Sequence, residues 1–336
     1  WFSPIYPSPG ADGGYDIADY MDIAPEFGGM EAFRKVLDGA HQRGMKIIMD
    51  LVINHTSDEH DWFQKSRQQI EPYTDYYIWR PAPAEGKLPN NWDSLFEGKA
   101  WTWDEVRQEY YLHVFAIKQP DLNMDNPLVR EEVKKVLKFW LDLGVDGFRF
   151  DAIKYVYYGD TARSADFWEW YMEELRAIKP DIYCVGECWS GESEILDYYG
   201  SMNCFNFAMA QAEGVVVSAA RGGTISKYTN YIESYQKRIL AKNPDGMVMP
   251  FLSNHDMDRI AGAFILEGNM RMAANLYLLC PGSPVIYYGE EIGMRGSRGS
   301  ESTDANRRLA MLWGDGDLIR NPVGSTYPAD KQIQTT

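Results

Sequence analysis

The sequence predicts an α/β protein of the (β/α) barrel class, and two observations carry that prediction. The first is Gly147-Phe148-Arg149-Phe150-Asp151, which follows a helix-like run and the turn signal Leu143-Gly144-Val145-Asp146-Gly147. Phe148 and Phe150 alternate with Arg149 and Asp151, the period of a strand, so an Arg and an Asp share one face and the Asp ends the strand. A buried Arg beside a carboxylate keeps it ionised and aimed, which suits a nucleophile better than a general acid. Taken alone, the pair reads equally well as a structural ion pair. The second observation is that three more apolar runs end in the same residue types. Ile47 to His55 ends in Asn54-His55, Ile182 to Glu187 ends in a carboxylate, and Met249 to Asp256 ends in His255-Asp256. Four apolar strands that each end in His, Asp or Glu, with helical segments between them, is the barrel pattern. In that fold catalytic residues sit at the C-terminal ends of different strands.

Composition narrows the function. The 336 residues are 45% hydrophobic, 14% aromatic and 24% charged, which describes a globular chain and not a disordered one. The net charge of −16 argues against nucleic acid and anionic membrane as partners. Most of the 11 Trp and 22 Tyr belong to a core by default, though sugar-binding clefts also use aromatic faces as platforms. Cys184, Cys188, Cys204 and Cys280 lack zinc-ribbon spacing, and a chain this long needs no disulfide staples. Free thiols in a reducing, cytoplasmic compartment are the expectation. No apolar run has transmembrane length, and the start of the chain carries no information on export.

In chain order, residues 7–20 read as a loop rich in Pro, Gly and Asp. Met30 to Arg43 reads as a helix closed by Gly44. Residues 58–118 break the βα rhythm and are rich in Trp, Pro, Asn and Tyr; a structureless loop of that length would be improbable, so a small inserted subdomain is expected. A helix over 126–143 has Asn126 as its cap and Pro127 in its first turn. A helix near 164–178 leads to the strand ending at Glu187, and 191–200 is a short helical connection. Asn203 to Phe207 is a sixth strand, Thr224 to Leu240 a helix, and 257–279 helical; Pro284 to Gly289 is an eighth strand.

The segments DLVINH (50–55), GFRFDAIK (147–154), VGECW (185–189) and FLSNHD (251–256) resemble the signature regions of the α-amylase family of retaining α-glucoside hydrolases. A fifth segment, Gln119-Pro120-Asp121-Leu122-Asn123, is similar to the form in its oligo-1,6-glucosidase and α-glucosidase branch. The resemblance implies a (β/α)8 TIM barrel over 1–57 and 119–336, with an inserted domain B over 58–118. Trp1 to Tyr6 resembles the end of the family's second strand, and no strand signals after Trp313 suffice for its C-terminal β domain. The expectation is therefore a part of a longer chain, with N-terminal strands and the β domain lying outside it.

The resemblance also assigns roles. Asp151 is the nucleophile, Glu187 the acid/base, and Asp256 the third carboxylate that holds ring hydroxyls and stabilises the transition state. Glu187 ends an apolar strand before Cys188 and Trp189, a setting that favours its protonated form. Tyr15 stacks on the terminal glucose, Asp12 and Asp16 hold the same sugar, and His55 and His255 donate to it. Arg308, by its distance from Trp313, matches the arginine that pairs with the aspartate at Asp12. Asn54 stands where calcium-binding members have a ligand, but Tyr155 stands where those members have a His. No cofactor is required, and a structural calcium is the one metal the resemblance would allow.

Ala152, after the nucleophile, stands where a Val favours α-1,6 bonds, so short α-1,4-linked malto-oligosaccharides are expected, with α-1,6 bonds also within reach. Asp12 and Arg308 favour an exo-acting α-glucosidase that works from non-reducing ends. Lys154 favours an endo-acting α-amylase instead. A non-catalytic transporter subunit or sugar-binding protein would leave three carboxylates without a task.

Overall fold

The computed structural model describes residues 1–84, 86–299, 304–314, 320–328 and 331–333. The chain packs as two units, Trp1–Cys188 and Trp189–Thr336.

In the first unit, helix α1 (Gly29–His41) buries Phe33, Leu37 and Ala40, one face at helical spacing. Strand β1 (Ile48–Leu51) follows. Helix α2 (Asp61–Arg67) leads to three short strands, β2 (Trp79–Arg80), β3 (Trp101–Asp104) and β4 (Glu109–Leu112). Helix α3 (Pro127–Leu143) starts where expected: the Asn126 side chain accepts from the Leu128 N–H, and Gly144 closes the helix at φ 103°. Strand β5 (Gly147–Phe150), helix α4 (Thr161–Ile178) and strand β6 (Tyr183–Gly186) complete the unit.

Strand β5 lies between β1 and β6, parallel to both, with Leu51 opposite Phe150 and Phe150 opposite Gly186. All four β5 residues are buried, as in a sheet covered on both faces. Gly147 permits this approach, because a Cβ there would lie 1.7 Å from the Tyr183 carbonyl oxygen. Behind the sheet, the fully buried Trp140 meets Tyr6 at 5.7 Å and Phe33 at 5.4 Å, ring to ring. Its Nε1–H donates to the Tyr20 carbonyl at 2.8 Å.

The strand expected to run to His55 stops at Leu51. The Asp151 N–H donates to the Leu51 carbonyl, and β5 ends there. His55 instead bridges antiparallel to Asp121, and Tyr77 to Leu122. Within 58–118, β4 pairs antiparallel with both β2 and β3, around a buried cluster of Ala100, Trp101, Leu112 and Val114.

The second unit contains helix α5 (Glu192–Asp197), strand β7 (Asn203–Cys204) and helices α6 (Val215–Ala220), α7 (Ile225–Lys242) and α8 (Glu267–Leu278). Helix α7 buries Tyr228, Ile232, Tyr235 and Ile239, again one face. Past β7, Phe205 makes a single parallel bridge to Met249. The described residues do not form a closed barrel, and neither the strand expected over 249–256 nor the one expected over 284–289 is formed. For these two segments Pro250 gives the reason. Ser283 N–H donates to the Val248 carbonyl and Val285 N–H to the Pro250 carbonyl, both at 2.9 Å. The return bond of a parallel ladder would need the N–H that proline lacks. All four cysteines are free and buried. No described helix is long and apolar enough to cross a membrane.

Candidate active site

The register of the parallel strands builds the first half of the site. Asp50 on β1 lies opposite Arg149 on β5. One residue past β5 comes Asp151, and one past β6 comes Glu187; the Glu187 N–H donates to the Phe150 carbonyl at 2.8 Å. The two carboxylates therefore leave the same end of neighbouring strands, whose spacing is about 4.8 Å.

Arg149 is 1% exposed and bridges two acids. Its Nη1 donates to Asp50 Oδ1 at 3.0 Å and also to Asp151 Oδ1. Burial opposes its charge, but Asp50, Tyr15, Asp151 and Glu187 together raise its pKa well above the ordinary value. Asp50 also accepts from the Tyr15 hydroxyl at 2.9 Å and from Trp1 Nε1 at 3.2 Å. Burial pushes its pKa up to about 7; Arg149 opposes the rise and the Asp151 charge adds to it. Asp50 escaped the sequence reading, although an Asp inside an apolar run is rarely buried unless paired and was a visible signal.

Glu187 Oε2 accepts from the Ala152 N–H at 3.0 Å. Ala152 has φ 50° and ψ 40°, the left-handed region that a non-glycine residue seldom adopts. The turn after Asp151 thus aims a backbone donor at the neighbouring carboxylate. Sequence periodicity holds no trace of this contact.

The residues expected to bind sugar are mostly engaged with one another. Tyr15 is buried with its hydroxyl on Asp50. Asp16 is fully buried and accepts from the Ser8 hydroxyl and the N–H groups of Ala11 and Asp12, so it ties the loop together. Asp12 accepts from Gln119 Nε2 at 2.9 Å. Gln119 Nε2 also lies 3.1 Å from His55 Nε2, a partner missed in the sequence. His55 Nε2 lies 3.2 Å from the Tyr15 carbonyl, and Asn54 Nδ2 donates to His55 Nδ1. Burial lowers the His55 pKa to about 4, so the ring is neutral.

Asn54 Nδ2 also donates to Asp121 Oδ1 at 3.2 Å, and burial raises the Asp121 pKa well above the carboxylate range. Among the described residues no group of three or more His, Cys, Asp or Glu side chains is placed to hold a metal ion.

In the second unit, Asp256 is the centre. Its Oδ2 lies 3.2 Å from His255 Nε2, and its Oδ1 accepts from Arg308 Nη2 at 2.8 Å. Arg308 Nε donates to the His255 carbonyl at 3.2 Å. Within this unit, then, Arg308 holds Asp256 and the backbone before it. Arg307 donates to Asp258, to Asp304 and to the Asp256 carbonyl. Neither arginine is simply solvated, at 15% and 22% side-chain exposure for Arg307 and Arg308. Asp256, 38% exposed, opens onto a cavity of about 550 Å³ that Trp189, Asp258 and Arg259 also line.

The sequence profile described as "Alpha amylase, catalytic domain" matches residues 1–325. The chain is 40% identical over 335 residues to an oligo-1,6-glucosidase of Parageobacillus thermoglucosidasius, covering 89% of this chain and 58% of that protein. It is 41% identical over 305 residues to alpha-amylase 3 of Dictyoglomus thermophilum, covering 90% of this chain and 58% of the relative. The chain thus spans under two thirds of these relatives' length. Among solved structures, Eubacterium rectale Amy13B superimposes with a TM-score of 0.87 at 32% identity, over 99% of this chain and 66% of that one. With these likenesses and five signature segments in order, the chain belongs to the α-amylase catalytic-domain family.

Proposed function

We propose that this chain carries the catalytic carboxylates of a retaining α-glucoside hydrolase that releases glucose from the non-reducing ends of short malto- or isomalto-oligosaccharides. The supporting observation is the placement of Asp151 and Glu187 just past neighbouring parallel strands, with Arg149 buried against Asp151. In the first step an Asp151 oxygen attacks the anomeric carbon, the glycosidic C–O bond breaks, and Glu187 gives its proton to the departing oxygen. In the second step Glu187 takes a proton from water, the water oxygen bonds the anomeric carbon, and Asp151 leaves. Arg149 fixes the Asp151 carboxylate for attack. The Ala152 N–H donates to Glu187 Oε2 and so orients the carboxyl group.

By family resemblance Asp256 is the third carboxylate, and Tyr15, Asp12, His55 and His255 contact the sugar. The contacts described above favour an indirect part for Asp16, through the loop that carries Asp12. The same reading takes 58–118 as domain B, a wall of the cleft, and gives Arg308 a part in substrate binding, through the Asp256 carboxylate that it holds. It requires no cofactor and places the protein in the cytoplasm.

The second reading, an endo-acting α-amylase, draws on Lys154 and on the 41% identity to a protein named alpha-amylase 3. Product profiles on maltohexaose and isomaltotriose separate the two. Glucose from the first moments, with little action on starch, is the expected result. Early maltose and maltotriose with fast loss of starch viscosity would overturn exo action.

A further inference from the structure

A second cavity, of about 330 Å³, lies in the first unit, and its lining includes none of Asp151, Glu187, Arg149, Tyr15 or His55. We propose that it is a separate binding site for a neutral saccharide. The inference goes beyond the hydrolase reading, because the chemistry of the lining selects the ligand whatever the carboxylates do.

Aromatic faces come from two places. Trp92 and Trp101 belong to the 58–118 segment, and Tyr157 and Tyr158 precede α4. Trp92 is 37% exposed and meets the Tyr158 ring edge-on at 5.1 Å, which holds the indole in place without covering it. The Tyr158 hydroxyl donates to the Asp93 carbonyl at 3.1 Å, so this pair also ties the 58–118 segment to the turn before α4. An exposed ring kept rigid by its neighbours can accept the C–H face of a sugar with little loss of freedom.

The polar groups are oriented in the same way. Asn90 Oδ1 accepts from Trp101 Nε1 at 2.8 Å and from the Trp92 N–H at 3.0 Å. That fixes the carboxamide and leaves its Nδ2 protons uncommitted among the described residues. Asp125 Oδ1 accepts from Arg163 Nη2 at 2.6 Å and from the Tyr157 hydroxyl at 3.0 Å. Its Oδ2 is not spent on either. The Arg163 guanidinium lies over the Tyr157 ring, 4.0 Å from its centre.

The charges balance. Arg80 and Arg163 line the cavity together with Asp125 and Asp160. Arg163 pairs with Asp125, and the Asp160 side chain caps α4 by accepting from the Arg163 N–H. Arg80 donates to the Trp79 carbonyl at 2.7 Å. Two arginines and two aspartates leave the lining without net charge, which favours neither a phosphate nor a cationic ligand. Hydroxyl groups suit the remaining donors and acceptors, and an apolar ring face suits Trp92. A concave site with aromatic walls and a few fixed polar groups is the usual form of a small-molecule pocket.

Isothermal titration of the Asp151→Asn protein with maltotriose tests this, since the substitution stops turnover under the hydrolase reading. Two sites are expected. Adding Trp92→Ala should weaken one of them by about tenfold and leave the other unchanged, while Trp92→Phe, which keeps a ring, should retain both. If circular dichroism shows that Trp92→Ala does not fold, Arg163→Ala on the cavity rim must weaken the same site. Binding that neither substitution alters, or no binding of maltotriose at all, overturns the proposal. A single site abolished by Trp92→Ala, in a protein that hydrolyses no α-glucoside before substitution, would support this site and sink the catalytic reading instead.

Discussion

Arg149 in the first unit and Arg308 in the second each hold a carboxylate proposed for catalysis, but at different depths. The Arg149 side chain is 1% exposed, its partners Asp50 and Asp151 are 0% and 13% exposed, and a paired strand runs through each side of the cluster. Asp256 is 38% exposed and follows a segment whose ladder is broken at Pro250. A buried ion pair is costly to break, because the surviving charge is stranded in a medium that cannot solvate it. An exposed pair is screened and contributes little to stability. The comparison teaches that the same two residue types form a largely enclosed cluster where strands pair, and a part-exposed pair where they do not.

The largest test of this difference is catalytic. Asp151→Asn and Glu187→Gln should each lower kcat on an aryl α-glucoside by at least about 10²-fold, with far-UV circular dichroism unchanged. Asp256→Asn should also lower kcat, but with a larger share of its effect in KM, since its proposed part is to hold ring hydroxyls. Near-normal turnover in either of the first two variants would break the assignment of the first unit. An unaltered Asp256→Asn enzyme would remove the second unit from the chemistry.

Next come the arginines. Arg149→Met leaves Asp50 and Asp151 facing each other without a counter-charge and should cost about 3–5 kcal/mol in urea unfolding. Arg308→Met should cost about 1 kcal/mol or less. Equal losses would show that depth of burial does not separate the two pairs.

The smallest effect is on pH dependence. Burial raises the pKa of Asp50 to about 7 in the first unit, and burial likewise raises Glu290 to about 7 in the second, where Ser253 and Tyr277 donate to it. Each folded pKa lies above that of the unfolded chain. The native state therefore keeps a proton that the unfolded state has already released, and stability falls as pH rises from about 4 to about 7. Asp50→Asn and Glu290→Gln should each flatten that slope in denaturation midpoints measured across the window. A slope unchanged in both variants would place the titration elsewhere.

Much of this was legible in the chain. Helix α3 declared both its ends through Asn126, Pro127 and Gly144, because caps and turn residues act within a few positions of themselves. GFRFD was legible for a similar reason: a Phe–Arg–Phe–Asp alternation needs only the strand it sits on. The break at 284–289 was half-legible, since Pro250 stood in view but the segment it would fail to answer lay over thirty residues away. Asp50 was overlooked although the signal was present in its own sequence run.

Local interactions of a few residues thus determined helices such as α1 and α3 and the strands that end just before Asp151 and Glu187. Only the tertiary structure decided that Arg149 is shared between Asp50 and Asp151, that Gln119 meets both Asp12 and His55, and that the Ala152 N–H points at Glu187. Those contacts depend on the register between strands and on one backbone angle of 50° at Ala152. Register and turn geometry follow from the packing of segments distant in sequence, and no spacing along a single segment encodes them.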